Sequence, residues 1–146
     1  GVDAGHKLDA VRACGADHVI DFAAADFTRT GRHYDLIVDV HGHRPMAEYK
    51  RALAATGTYA MVGGPLPRIL QALVMGLWGA VTREGRRIRV VAAGPNKGLA
   101  ELTALLEAGE ITPVVDSRYP LDEVPAAFRR FVEGRHKGKV VITIAP

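Results

Sequence analysis

Short β-branched apolar runs alternate along this chain with stretches in which apolar residues return every three or four positions. That alternation predicts a parallel α/β sheet, each strand followed by a crossover helix. Strands are predicted at 18–21, 34–40, 58–62, 88–93, 114–115 and 140–144. The run at Leu36–Ile37–Val38 is continuously apolar, as expected of a strand covered on both faces. Helices are predicted at 5–14, at 45–54 with Pro45 in the first turn, and at 65–78. Two more are expected, one capped by Asn96 and carrying Leu99, Leu102, Leu105 and Leu106, the other capped by Asp122 and carrying Val124, Ala127, Phe128 and Phe131 on its inner stripe. Residues 23–30 read as a weak helix or a loop, and Thr56–Gly57 as a turn. Gly15, Gly109 and Gly134 stand where left-handed residues end helices. The fold class is therefore α/β, an incomplete doubly wound parallel sheet with helices on both faces.

Composition narrows the class of partner. The chain has 146 residues, 48% of them hydrophobic and 24% charged, enough for a packed core. The net charge is +3, which suits an anionic small ligand and does not point to nucleic acid. The basic run Arg83, Arg86, Arg87 and Arg89 lacks interleaved aromatics and reads as a solvated or subunit-facing segment. The longest uncharged run, between Arg68 and Arg83, is well short of the ~20 residues of a spanning helix, so no membrane partner is expected. One cysteine, Cys14, excludes an intrachain disulfide and suits a reducing cytoplasm. His41 and His43 flank Gly42 but have no third ligand at hand, and no zinc is expected.

In an open parallel sheet, ligands bind outside the carboxyl ends of the strands. Gly1–Val2–Asp3 reads as the end of a buried strand, which suggests a piece of a longer protein. Asp3, with Lys7 one turn on, follows that strand. Val40–His41 follows the next strong one, Val62–Gly63–Gly64 the next, and Asn96 lies beyond Ala93. An acid at the place of Asp3 accepts hydrogen bonds from ribose hydroxyls and repels a 2′-phosphate, whereas Lys7 attracts one. The alternative is that Asp3 caps the following helix and Lys7 is a solvated side chain. Gly63 and Gly64 either admit a close ligand or simply end a strand. No G-x-G-x-x-G, G-x-S-x-G or P-loop pattern occurs, and the only serine is Ser117. No catalytic residue is assigned to this chain.

The residues just named resemble the medium-chain dehydrogenases/reductases, in particular the zinc-independent, quinone-oxidoreductase-like branch. The match runs from Gly1–Val2–Asp3 and Lys7–Leu8–Asp9 through Gly15 to Phe22, Tyr34 to Val40, and Gly57 to Gly64. It continues through Gly94–Pro95–Asn96–Lys97 to Gly138–Lys139–Val140–Val141. The resemblance implies an NAD or NADP cofactor, with Asp3 and Lys7 at the adenosine ribose, Val40 and His41 near the adenine and riboses, and Val62, Gly63, Gly64 and Asn96 toward the nicotinamide. It also implies hydride transfer to or from a carbonyl, quinone or activated alkene, a small-molecule substrate and a homo-oligomer. Residues 1–93 would be part of the dinucleotide-binding domain and 94–146 a C-terminal segment. The first strand, its glycine-rich turn and the catalytic domain of that family have no counterpart here. The piece alone is therefore expected to be inactive, with a gap in its sheet that it closes by rearranging or by pairing with another chain. The reading from another class is a non-catalytic α/β binding or dimerisation module, supported by the apolar helix Ile69–Trp78.

Overall fold

A computed structural model describes residues 1–40, 43–82, 85–92, 94 and 96–144. Its strands are β1 (Val2–Asp3), β2 (Ile20–Asp21), β3 (Tyr34–Asp39), β4 (Leu53–Met61), β5 (Arg87–Val90), β6 (Val115–Pro120) and β7 (Lys139–Thr143). The helices are α1 (Leu8–Ala13), α2 (Met46–Ala52), α3 (Leu66–Val81), α4 (Leu99–Glu107) and α5 (Val124–Val132), with single 3-10 turns at Gly5–Lys7, Phe27–Arg29 and Leu121–Glu123. Every strand pair is parallel, in three separate sheets ordered β1–β2, β3–β4–β5 and β6–β7. The α/β class expected from the alternation is thus present. The chain forms two compact units, one made of residues 26–97 and the other of residues 1–25 with 98–146.

In the unit 26–97, β4 lies between β3 and β5, and Asp39, Met61 and Val90 stand level across the three strands. Because side chains alternate along a strand, this register sorts them by face. Ile37, Tyr59 and Met61 point to a face where they are 8%, 1% and 0% exposed. Leu36 and Val38 point the other way and are more than half exposed, so the apolar run covers one face and leaves the other open. The covered face packs on Met46, Tyr49 and Ala52 of α2 and on Phe27. Phe27, Tyr49 and Tyr59 form an aromatic chain, with Tyr49 and Tyr59 centroids 4.6 Å apart. Asp26 starts the short turn at Phe27 by accepting the Thr28 amide at 2.9 Å, and Arg44 reaches both Asp26 (2.9 Å) and the Phe27 ring.

Helix α3 runs beside β5. An ideal Cβ on Gly76 would fall 2.7 Å from the Ile88 carbonyl oxygen, whereas one on Gly79 would find its nearest atom, the Arg86 oxygen, at 3.8 Å. The two glycines on one helix therefore have opposite meanings. Gly76 lets the helix approach the strand, and Gly79 carries only the entropic cost of glycine in a helix.

In the other unit, α5 packs against β6 and β7. Arg130 on α5 grips Asp116 on β6 with two bonds, of 2.6 and 3.1 Å, and the Lys137 amide adds a third at 2.9 Å. Those bonds, Arg130 first and the amide second, hold the Asp116 carboxyl well below the usual carboxylate range.

Several local expectations are corrected. Pro45 precedes α2 as its cap residue instead of entering its first turn. Thr56 and Gly57 lie inside β4, where the pairing with β3 shifts register. The cap position of α4 is Gly98, with φ 75°, and not Asn96. Asp122 sits within a 3-10 turn and makes no side-chain cap. On α5 only Ala127 is buried, while Phe128 and Phe131 are exposed.

Two outcomes follow from this packing. Gly76→Ala is expected to lower stability by about 1–3 kcal/mol through overpacking, whereas Gly79→Ala raises it by up to about 1 kcal/mol. Urea unfolding distinguishes them, and equal effects would contradict the close approach of α3 to β5. A carboxyl depressed in the folded state contributes stability that is present above its unfolded pKa of about 3.9 and is lost as the pH falls through the folded value. Asp116→Asn should therefore lower the melting temperature at neutral pH and flatten its decline below about pH 4. An unchanged acid limb would show that the Arg130 pair contributes nothing.

Candidate functional site

Parallel pairing brings the carboxyl ends of β3, β4 and β5 to one edge. The ladder continues one residue past the strands, with the Val62 amide donating to Asp39 O and the Val91 amide to Met61 O, each at 2.8 Å. Val40 and Val62 sit at this edge and are 65% and 44% exposed. An ideal Cβ on Gly63 would lie 3.2 Å from the Val40 carbonyl oxygen, and Gly64 has φ 134°, a backbone state that side chains resist. The edge therefore offers apolar side chains and bare backbone at adjacent strand tips. Val40, Val62 and Gly63 lie together at this edge. Asn96 follows β5 with φ 58°. His41 lies outside the described residues.

Beneath this edge is a group that the linear pattern did not single out. The Tyr59 hydroxyl donates to Asp39 Oδ2 at 2.8 Å, and the Tyr49 hydroxyl is also engaged by Asp39. Burial first, and the Asp39 carboxylate second, push both phenols far above their ordinary range, so they remain neutral donors. Asp39 carries the carbonyl that accepts from Val62, so the two tyrosines anchor the residue from which the tip of β3 departs. Tyr59 lies on the next strand, 20 positions away, and no short-range signal links it to Asp39.

In the unit 1–25 with 98–146, Asp3 ends β1 and stands level with Asp21 at the end of β2. Asp3 Oδ1 accepts the Ala4 amide at 2.7 Å, and an ideal Cβ on Gly5 would meet Asp21 Oδ2 at 2.5 Å. Two carboxylates thus flank the start of the turn that carries Lys7. The helix-cap reading of Asp3 is met only in part, since its bond goes to the adjacent amide and the turn has no side-chain cap. Asp3 and Lys7 line one cleft of about 350 Å³. Asp21 ends a predicted strand as Asp3 does, and that position is the sequence signal for it.

Within the unit 26–97, bare backbone with apolar side chains suits a planar ring; within the other unit, the carboxylates and the lysine suit a group that carries hydroxyls and a negative charge. Among the described residues, no three His, Cys, Asp or Glu side chains come together to hold an ion. No helix among the described residues is long and apolar enough to cross a membrane.

Parallel α/β units whose strands end at one edge define a class of fold in which ligands bind outside the carboxyl ends of the strands. Residues 14–142 match the family model described as zinc-binding dehydrogenase, and the chain belongs to that family, within the medium-chain dehydrogenases/reductases. It is 32% identical over 142 residues to the 2-methylene-furan-3-one reductase of Solanum lycopersicum, covering 96% of this chain and 32% of that protein. It is 25% identical over 140 residues to a chloroplastic quinone-oxidoreductase of Triphysaria versicolor, covering 93% of this chain and 42% of that one. Among solved structures, the alcohol dehydrogenase of Aeropyrum pernix matches with a TM-score of 0.70 and 25% identity, over 95% of this chain and 40% of its own. The chain spans about two fifths of the length of curated relatives such as the Triphysaria protein.

Tyr59→Phe removes a donor from Asp39 and should cost about 1–2 kcal/mol in denaturant unfolding. A change within a few tenths of a kcal/mol would show that the hydroxyl does not hold the tip of β3.

Proposed function

We propose that this chain is the cofactor-binding and C-terminal part of an NAD(P)-dependent oxidoreductase that transfers hydride to or from a carbonyl, quinone or activated alkene. One observation carries the reading most strongly. Three parallel strands end level, with Gly63 packed so closely on the Val40 carbonyl that a side chain there would crowd it. Family membership supports the same chemistry, and the relatives named above are a reductase, a quinone oxidoreductase and an alcohol dehydrogenase.

In this reading, residues 1–93 carry dinucleotide binding and 94–146 form the C-terminal segment. Asp3 accepts from the adenosine ribose hydroxyls, and Lys7 takes the charge of a 2′-phosphate when there is one. Val40 and His41 line the adenine and ribose region. Val62, Gly63, Gly64 and Asn96 approach the nicotinamide. A bound nicotinamide supplies or receives the hydride. This chain's contribution is to seat the ring, keep water from one side of it with Val40 and Val62, and hold the tip of β3 through Asp39. The reaction needs groups beyond those found here, so the chain by itself does not turn over substrate.

Asp3 favours NAD and Lys7 favours NADP. The pair decides the preference, with NADP slightly ahead through Lys7. The exposed thiol Cys14 agrees with a reducing compartment, the cytoplasm. The open face at Leu36 and Val38 and the exposed apolar residues of α3 agree with a homo-oligomer. The same surfaces are what a non-catalytic dimerisation module would show, but such a module has no use for level strand tips beside bare backbone.

Calorimetric titration of the chain with NADPH and NADH tests the proposal. Lys7→Ala should weaken NADPH about tenfold, the loss of one charge-assisted hydrogen bond, and leave NADH nearly unchanged. Asp3→Ala should weaken NADH more than NADPH. Absence of binding by either cofactor would overturn the reading, and an unchanged NADPH affinity in Lys7→Ala would overturn the phosphate role of that residue.

A further inference from the structure

The cleft that contains Asp3 and Lys7 has a second wall that the cofactor reading does not use. It is formed by Pro113–Val114 and by residues 136–139, the turn that leads into β7. Lys137, Lys139 and His136 all line it. With Lys7, three ammonium groups share a cleft in which, among the described residues, the only carboxylate is Asp3, itself occupied at Oδ1 by the Ala4 amide. Among the described residues, none of the three lysines is in an ion pair.

The nearest acids in sequence, Asp9 and Glu133, pair with Arg12 and Arg135, and Asp116 does not neutralise the lysines either. Its side chain is taken by Arg130 and by the Lys137 backbone amide. That amide bond also fixes the turn. The Lys139 amide donates to Val114 O at 2.7 Å, and a Cβ on Gly138 would overlap the same oxygen. The backbone that carries both lysines is therefore pinned on each side of Gly138, which lowers the ordering cost when the side chains close on a ligand.

His136 adds an independent observation. Its ring stacks on Phe131 at 4.8 Å, and among the described residues its Nδ1 is a buried atom with no hydrogen-bond partner. Buried polar atoms are nearly always paired, so the ring gains a partner if it turns toward a ligand in the cleft that it lines. At about 350 Å³ the cleft is roomier than a bare anion needs, and Val11 and Pro113 give it apolar walls.

We propose that this cleft is a binding site for a phosphate monoester, with Lys137, Lys139 and His136 supplying the anion contacts opposite Lys7. The 2′-phosphate of NADP and a free phosphate ester present the same chemistry. The first source rests on the cofactor reading above and the second does not. If NADP is the ligand, the turn before β7 sets cofactor preference together with Lys7, and the C-terminal segment becomes part of the specificity apparatus.

The test uses the 146-residue chain with three probes: inorganic phosphate, adenosine 2′-monophosphate and adenosine. Binding is followed by the imidazole NMR signals of His136 and by calorimetry. Both phosphate-bearing probes should shift His136. Adenosine 2′-monophosphate should bind at least about tenfold more tightly than adenosine, and Lys137→Gln and Lys139→Gln should each weaken it by about tenfold. Lys137→Arg and Lys139→Arg should retain most of the binding, and they separate loss of charge from loss of fold. A His136 signal unmoved by either phosphate probe overturns the site. So does affinity for adenosine 2′-monophosphate that the glutamine variants leave unchanged, although nucleotide binding as such would then still stand. Equal affinity for inorganic phosphate and adenosine 2′-monophosphate, with both weakened by the glutamine variants, supports the site and counts against the nucleotide reading.

Discussion

The arrangement depends on β4 being hydrogen-bonded in parallel on both sides. Parallel pairing aligns chain direction as well as register, so everything that follows a strand emerges at the same edge. Asp39, Met61 and Val90 are level because of it, and so are the exposed valines and the glycine pair beyond them. The buried face of β4, with Tyr59 and Met61 almost inaccessible, ties that alignment to the aromatic core. A slip of one residue would turn Tyr59 outward and carry the Asp39 bond with it.

The parts of the fold that were legible in the residues are those set by local chemistry. Leu36–Ile37–Val38 announced β3, and Gly15, Gly109 and Gly134 ended helices in left-handed conformations, with φ of 95°, 72° and 66°. What stayed hidden depends on contacts between distant positions. The apolar run of β3 did not reveal that only the Ile37 face is covered. Asn96 and Asp122 have the side chains of caps, yet Gly98 and a 3-10 turn took those places, because propensity is weaker than the path the chain must follow. Gly76 and Gly79 look alike in sequence and differ only because β5 passes beside one of them.

The candidate site shows the same division. That Asp3, Val40, Val62 and Gly63 stand at strand ends could be read from the sequence, since a strand end is a local feature. Tyr59 on Asp39 could not, nor could Lys137 and Lys139 opposite Lys7, whose shared cleft joins the two ends of the sequence. Asp3 and Lys7 pull cofactor choice in opposite directions when read alone. In the proposed reading, the additional cations of that cleft would favour a phosphate-bearing ligand.

Amide-resolved NMR of the chain with saturating NADPH locates the bound cofactor. Chemical-shift changes are expected at the carboxyl ends of the parallel strands, at Val40, at Val62 to Gly64 and at Val91, with a second group at Asp3 and Lys7. Changes gathered instead at the amino ends of β3, β4 and β5, around Tyr34, Leu53 and Arg87, would contradict this placement.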